Sequence, residues 1–298
     1  MEYKFTVFTP AFNRAHTLIN SYQALCRQTC KDFIWLIVDD GSTDNTRELI
    51  DLWSKENKIQ IKYVYQENAG KQRAVNTGID NCETEFFGFL DSDDYYCDNT
   101  VENFLSDFDR VKNNNRVAGI LARRGKDQKT PMGSQNLSEG RFVDKFDHLI
   151  RKYNYSGDTC RAYYTRILKQ YKYPIINDKF IPEDVMLSAI DQEYELLIVN
   201  QVYSISGYLE DGYTKNGHKL FHKNPTGFAL GMAQLAISKR GILRHIKYTM
   251  MYTIWCMQKK INHPEQMIKC KLSYYLLYPV SSILYALKWP RWFFKEDI

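Results

Sequence analysis

The sequence has no Cys-x-x-Cys pair and no cluster of His and Cys at zinc-binding spacing. Zinc fingers and thioredoxin-like redox centres are therefore excluded. Its seven cysteines are an odd number, so they cannot all pair within the chain, and a reducing compartment is the economical expectation. No apolar run reaches the length of a membrane span, and no charged segment followed by a longer apolar core opens the chain. Neither a spanning helix nor a secretory signal is expected. Internal repeats and low-complexity tracts are missing from the strand-rich first part, and the whole chain lacks a recognised RNA- or DNA-binding module. Nucleic acid is not an expected partner, and a cytoplasmic location is.

What is present suits a folded chain. The 298 residues are 44% hydrophobic and 14% aromatic, enough for a sizeable core and too apolar for disorder. The net charge of +5 is unevenly spread: residues 239–298 hold eleven Lys/Arg against three Asp/Glu, and the remainder holds 29 against 32. A mildly acidic body with a basic, aromatic tail suggests a tail that meets something anionic.

Apolar patterning predicts strands at 5–9, 34–38, 59–65 and 86–90, alternating with helices at 16–29, 45–55 and 71–81. Strand and helix repeated in this way predict a parallel, doubly wound sheet with the strand ends gathered at one edge. Further on, a helix is expected at 99–111, a strand at 117–122, a mobile polar loop over 123–141 and a helix from Phe142. A strand near 160–164, a helix from Glu183 and a strand over 196–206 follow. From Phe228 to Trp289 the pattern is helical, with breaks expected at Pro264 and Pro279.

Polar residues at the ends of the strands carry the chemistry. Phe86-Phe87-Gly88-Phe89-Leu90 runs straight into Asp91-Ser92-Asp93-Asp94, and like charges so close need a cation or hydrogen-bond donors. Carboxylates beyond a strand end suit Mg²⁺ or Mn²⁺, which usually bring phosphates with them. The alternative is an acidic turn capping the next helix. Thr9-Pro10-Ala11-Phe12-Asn13 offers backbone groups and a small pocket, and Asp39-Asp40-Gly41-Ser42 a carboxylate able to take a base ring N–H. Asn68-Ala69-Gly70-Lys71-Gln72-Arg73 is a tight turn opening a helix, with two cations suited to phosphate.

Four segments resemble those of the inverting family-two glycosyltransferases. They are Pro10-Ala11-Phe12-Asn13, Ile37–Asp44, Asn68-x-Gly70-x-x-x-Ala74-x-Asn76-x-Gly78 and Leu90–Asp94, and they keep the family's order and spacing over roughly the first hundred residues. The resemblance implies a GT-A fold: a Rossmann-like mixed sheet flanked by helices, over residues 1–225. Residues 226–298 then form a helical, basic and aromatic region. It implies a nucleotide-sugar donor, UDP-linked by expectation, a Mn²⁺ or Mg²⁺ cofactor, and a glycan or lipid-linked acceptor in cell-surface polysaccharide synthesis.

Carried over residue by residue, the resemblance gives Thr9, Pro10 and Asp40 to the base, with Asp39 supporting the turn. Asn68, Gly70 and Arg73 lie against the nucleotide. Asp91, Ser92 and Asp93 serve the ribose, diphosphate and metal, with Asp93 coordinating. In Phe180-Ile181-Pro182-Glu183-Asp184, Asp184 would be the catalytic base, because the acceptor hydroxyl must lose a proton; the alternative is helix N-terminal charge. Many relatives carry Ala-Arg-Asn where this chain has Ala74-Val75-Asn76, leaving Lys71 or Arg73 to supply the cation.

Residues 207–218 resemble a loop that folds over donor and acceptor, or form an ordinary surface loop. His218 and His222 read as solvated residues. The tail over 272–295 suits a membrane interface, making the protein peripheral on the cytoplasmic face; the alternative is a bundle packed on the body or on a second subunit. A nucleotidyltransferase would need a Gly-rich first turn, which Thr9–Arg14 lacks. A non-catalytic sugar-nucleotide-binding scaffold would have no need of the intact acidic residues.

Overall fold

The early strand–helix repeats become one side of a nine-stranded sheet. The computed structural model describes residues 3–133, 137, 140–206, 217–237 and 241–291. It begins β1 (Phe5–Ala11), α1 (Ala15–Cys26), β2 (Phe33–Asp39), α2 (Thr46–Glu56), β3 (Gln60–Tyr65), α3 (Lys71–Asn81) and β4 (Phe86–Phe89). Next come β5 (Asp94–Tyr96), α4 (Thr100–Val111), β6 (Val117–Gly125), β7 (Arg141–Asp144), α5 (Phe146–Lys152) and β8 (Thr159–Tyr164). They are followed by α6 (Thr165–Leu168), α7 (Asp184–Glu193) and β9 (Glu195–Ser206). The remaining helices are α8 (Gly217–Lys223), α9 (Pro225–Ile237), α10 (Ile242–Lys259), α11 (Pro264–Met267) and α12 (Lys271–Ala286).

The strand order is β3-β2-β1-β4-β8-β6-β9-β5, with β7 also paired to β9. Strands β3, β2, β1 and β4 are mutually parallel, and Ala11 pairs with Asp39 while Phe8 pairs with Phe89. Their carboxyl ends therefore reach one edge together. Strand β8 is antiparallel to β4 and β6, which makes the sheet mixed, as the GT-A expectation requires.

Burial fixes these positions. Phe5, Val7, Phe8, Trp35, Ile37 and Val38 are fully enclosed, and Tyr22, Trp35 and Trp53 stack one on another. On α4, Val101, Phe104, Phe108 and Val111 recur at helical spacing and turn inward; Phe108 stacks on Phe86 at 4.0 Å. Emptying a site such as Phe104 would cost about 3–5 kcal/mol. Helix α3 lies close on β1 because position 78 lacks a side chain: a Cβ there would sit 2.2 Å from the Phe8 ring. That close approach carries the first turn of α3 to the carboxyl edge.

The chain divides into two compact units, Met1–Lys172 with Glu193–Leu209, and Tyr173–Gln192 with Glu210–Ile298. The first holds the whole sheet. In the second, Phe228, Met232, Tyr252 and Trp255 form the core of a helical cluster, and Trp255 donates its indole N–H to the Pro225 carbonyl at 2.9 Å. The Asp178 carboxylate accepts the N–H groups of Thr226 and Gly227, at 2.7 and 2.9 Å, and so caps α9.

Four expectations change. Strand β6 continues through Arg123 and Arg124 to Gly125, so the polar stretch begins later than 123. Phe142 lies in β7 because Arg141–Asp144 pair antiparallel with Leu196–Val199, and pairing overrides local helix preference. Helix α12 runs through Pro279; the carbonyl deprived of a donor belongs to Tyr275, on the exposed side where solvent can serve it. His222 packs edge-on against Trp255, 5.0 Å between ring centres, rather than standing in solvent. Residues 207–216 of the expected covering loop lie outside the described residues, as do 292–295 of the tail.

Candidate active site

The four strand-end segments are tied into one row along the carboxyl edge. After β1 the chain turns at Asn13, whose φ of +53° is one Asn tolerates better than most residues. Its Oδ1 accepts the Thr43 N–H at 2.8 Å, and its own N–H donates to Ser42 Oγ at 2.9 Å. These bonds join the first segment to the second. Thr9 lies beneath: it is fully buried, and its Oγ accepts the Trp35 indole N–H at 3.0 Å. Pro10 is half-buried beside it, and Phe12, 45% exposed, presents a bare aromatic ring at the edge.

Asp39 and Asp40 both brace loops. Asp39 is buried; its carboxylate accepts the Ser42 N–H at 2.8 Å and the Tyr63 hydroxyl at 2.7 Å. The Asp40 carboxylate takes four donors: Gln66 Nε2 and the Ala69 N–H on Oδ1, the Gly70 N–H and Asn68 Nδ2 on Oδ2. A carboxylate has about four acceptor positions. A base N–H directed at Asp40 would have to displace one of these donors. Asn68 also donates to the Asp40 carbonyl at 2.8 Å, which joins the second segment to the third.

Gly70, at φ +97°, turns the chain into α3. The helix begins at Lys71, so its positive dipole end lies at this edge. Lys71 Nζ reaches 2.8 Å from Asp91 Oδ1 and joins the third segment to the fourth. Arg73, half-buried, stands in the same turn.

The acidic segment is divided by its partners. Asp91 is also faced by Arg124 Nη2 at 3.4 Å. Burial works to raise its carboxyl, but the charges of Lys71 and Arg124 outweigh this and hold it well below the usual range. Asp94, enclosed at the start of β5, lies 2.9 Å from Arg124 Nη2. Burial pushes it up to about 7, with Arg124 opposing and Asp91 and Asp93 adding to the rise. Asp93 differs, having no ion pair among the described residues; burial and the Asp91 charge raise its carboxyl. Ser92 is buried between them.

No group of three or more His, Cys, Asp or Glu that could hold a metal occurs among the described residues. What the edge offers is one unpaired, half-buried carboxylate beside two that are already paired. That donor set fits Mg²⁺ or Mn²⁺ bound by a single carboxylate and completed by phosphate oxygens and water. Arg124 was not singled out from the sequence, where Arg123-Arg124 open a polar, Gly-bearing stretch that reads as a loop.

Asp184 belongs to the second unit, where it is exposed as the first residue of α7. Its carbonyl accepts the Ser188 hydroxyl at 2.6 Å, leaving the carboxylate at the helix N-terminus.

A family model described as "Glycosyl transferase family 2" matches residues 6–172. An uncharacterized glycosyltransferase of Rickettsia conorii is 38% identical over 99 residues, 33% of this chain and 16% of its own. The teichoic acid poly(glycerol phosphate) polymerase of Staphylococcus epidermidis is 28% identical over 142 residues, 47% of this chain and 18% of its own. The chain thus spans under a fifth of the length of either of these two relatives. Among solved structures, S. aureus TarS 1-349 in complex with UDP-GlcNAc superposes with a TM-score of 0.61 at 15% identity, covering 97% of this chain and 82% of that one. The mannosyltransferase PcManGT of Pyrobaculum calidifontis, with GDP-Man and Mn²⁺, gives 0.57 at 14% identity, covering 97% and 84%. At such identities these two structures bear on the fold alone.

Proposed function

The chain belongs to glycosyl transferase family 2, and on that premise we propose that it is an inverting, metal-dependent glycosyltransferase using a UDP-sugar donor. The acceptor is a glycan or a lipid-linked glycan of the cell surface. The observation that carries the reading is the continuous row of contacts from Asn13 through Ser42, Asp40 and Asn68 to Lys71 and Asp91. It supports a single elongated site for base, ribose and diphosphate at the edge where open α/β sheets bind ligands.

In this reading the base lies along Thr9, Pro10 and the Asp39–Asp40 loop, with Asn68 and Arg73 against the nucleotide. The N-terminus of α3, fixed by Asp40 and Gly70, faces the diphosphate. Asp93 would hold Mn²⁺ or Mg²⁺, which supplies Lewis-acid stabilisation of the departing diphosphate. Lys71 and Arg124 keep Asp91 ionised for the ribose–diphosphate end. The acceptor oxygen forms its bond to the anomeric carbon as the bond to the diphosphate oxygen breaks. The electron pair leaves with UDP, the configuration inverts, and the acceptor proton passes to the Asp184 carboxylate.

The test is a panel of UDP-, GDP- and CDP-sugars with Mn²⁺ or Mg²⁺, scored by nucleotide release and thermal shift. The proposal expects UDP release from one donor, faster with acceptor, and an Asp184→Asn variant that binds donor but loses at least about a hundredfold in transfer. Full turnover by that variant would remove Asp184 as the base. Binding without turnover across a broad acceptor panel would favour a non-catalytic scaffold.

A further inference from the structure

We propose that the outward face of α12, with the first turn of α10, is a docking surface for an anionic lipid bilayer. The inference rests on the second unit alone and does not depend on the donor chemistry. Helix α12 is held by its inner side: Tyr274 and Ser281 are buried, and Leu284 packs on the cluster around Trp255. Its outer side has no cover among the described residues. Leu272, Leu276, Val280, Ile283 and Leu287 are 75, 70, 48, 61 and 71% exposed and recur at helical spacing as one stripe. A monomeric protein seldom leaves so long an apolar stripe facing water unless something covers it.

Charge identifies the cover. No Asp, Glu, Lys, Arg or His occurs from Leu272 to Leu287, while Lys269 and Lys271 stand before that run and Lys288 and Arg291 after it. All four are exposed. His245 Nε2 lies 2.8 Å from Ser273 Oγ and ties the first turn of α10 to α12. That turn adds exposed Ile242 and Leu243, with Arg244 and Lys247 following them. Glu265 is the single acidic residue from 241 to 291. A second copy of the same face would set like charges against like, whereas anionic headgroups meet cations at both ends of an apolar stripe.

The ring residues agree. Tyr275, Tyr278, Tyr285 and Trp289 are exposed around the stripe, and amphipathic rings of this kind favour headgroup depth. The helix lies along the surface rather than across it. Its 16 residues span about 24 Å, short of a hydrocarbon core of about 30 Å. No helix among the described residues is long and apolar enough to cross a membrane.

The experiment is sedimentation of the full chain with vesicles of phosphatidylcholine alone or with about one-third phosphatidylglycerol. Binding is expected on the anionic vesicles, weakening as salt rises. Leu276→Glu with Ile283→Glu is expected to lose at least about tenfold in affinity, with thermal unfolding unchanged because both side chains are already in water. Lys269→Gln, Lys271→Gln and Lys288→Gln together are expected to lose about a hundredfold on anionic vesicles, at roughly 1 kcal/mol per cation. Absence of wild-type binding to the anionic vesicles overturns the proposal, as does undiminished binding by the double glutamate variant. A dimer in sedimentation velocity that dissolves in that variant, without vesicle binding by the wild type, would assign the face to a second copy instead.

Discussion

Arg124 Nη2 lies 2.9 Å from Asp94 Oδ2, an ion pair between β6 and β5 that is almost closed to water on the carboxylate side. The same guanidinium faces Asp91, so one cation balances two of the three carboxylates of the segment. Replacing Arg124 by Ala strands a buried charge, and such removals cost about 3–5 kcal/mol. Chemical denaturation of Arg124→Ala should show a loss of that order. Arg124→Met combined with Asp94→Asn should recover much of it, because no charge is then left unpaired. A double variant as unstable as the single one would mean that the pair is not the cause.

Gly41 and Gly140 offer a controlled comparison. Both have positive φ, +81° and +89°, so alanine is strained at either. Only at Gly41 would the new Cβ also meet backbone, 2.7 Å from the Asn68 nitrogen; at Gly140 nothing among the described residues lies within 4 Å. Gly140→Ala is expected to cost about 1 kcal/mol from strain alone, and Gly41→Ala clearly more. Equal losses in urea unfolding would contradict the close packing of the second and third segments.

Asp44 gives a pH dependence of known sign. Burial would raise its carboxyl, but the Thr46 hydroxyl and the N–H groups of Ala15 and Thr46 outweigh this and lower it. A carboxyl depressed on folding stabilises above the ordinary Asp range near pH 4, and that stability is lost as pH falls through the folded value. Asp44→Asn should therefore cost about 1–2 kcal/mol at neutral pH, with the difference from wild type shrinking as pH falls below the ordinary Asp range. A difference constant across that range would show that the loss is not ionic.

Much of the edge was legible because it rests on short-range pattern. Helix α3 spans Lys71–Asn81 as expected, since Gly70 supplies the positive φ that starts it and Ala74 and Ile79 the face it buries. The strand ends of β1, β2 and β4 were readable from apolar runs that stop at polar residues. Partners distant in the chain were not. Asp40 reads as an open acceptor, yet Gln66, Asn68, Ala69 and Gly70 fill it from a turn some 30 residues on. Arg124 looks like a loop cation until the order β4-β8-β6 sets its strand two places from the acidic segment. Phe142 follows a glycine-bearing polar stretch with nothing local to reveal its pairing with Ile198. In each case the deciding contact is between residues far apart in sequence.

Asp93 is the test of the whole account, because it carries the charge that Lys71 and Arg124 do not neutralise. The decisive measurement is calorimetric titration of the responsive UDP-sugar into wild type and Asp93→Asn, with Mn²⁺ and after chelation. The predicted result is metal-dependent binding by the wild type and, in the variant, weak binding that Mn²⁺ no longer strengthens. Equal affinity in both proteins, unchanged by removing the metal, would contradict it.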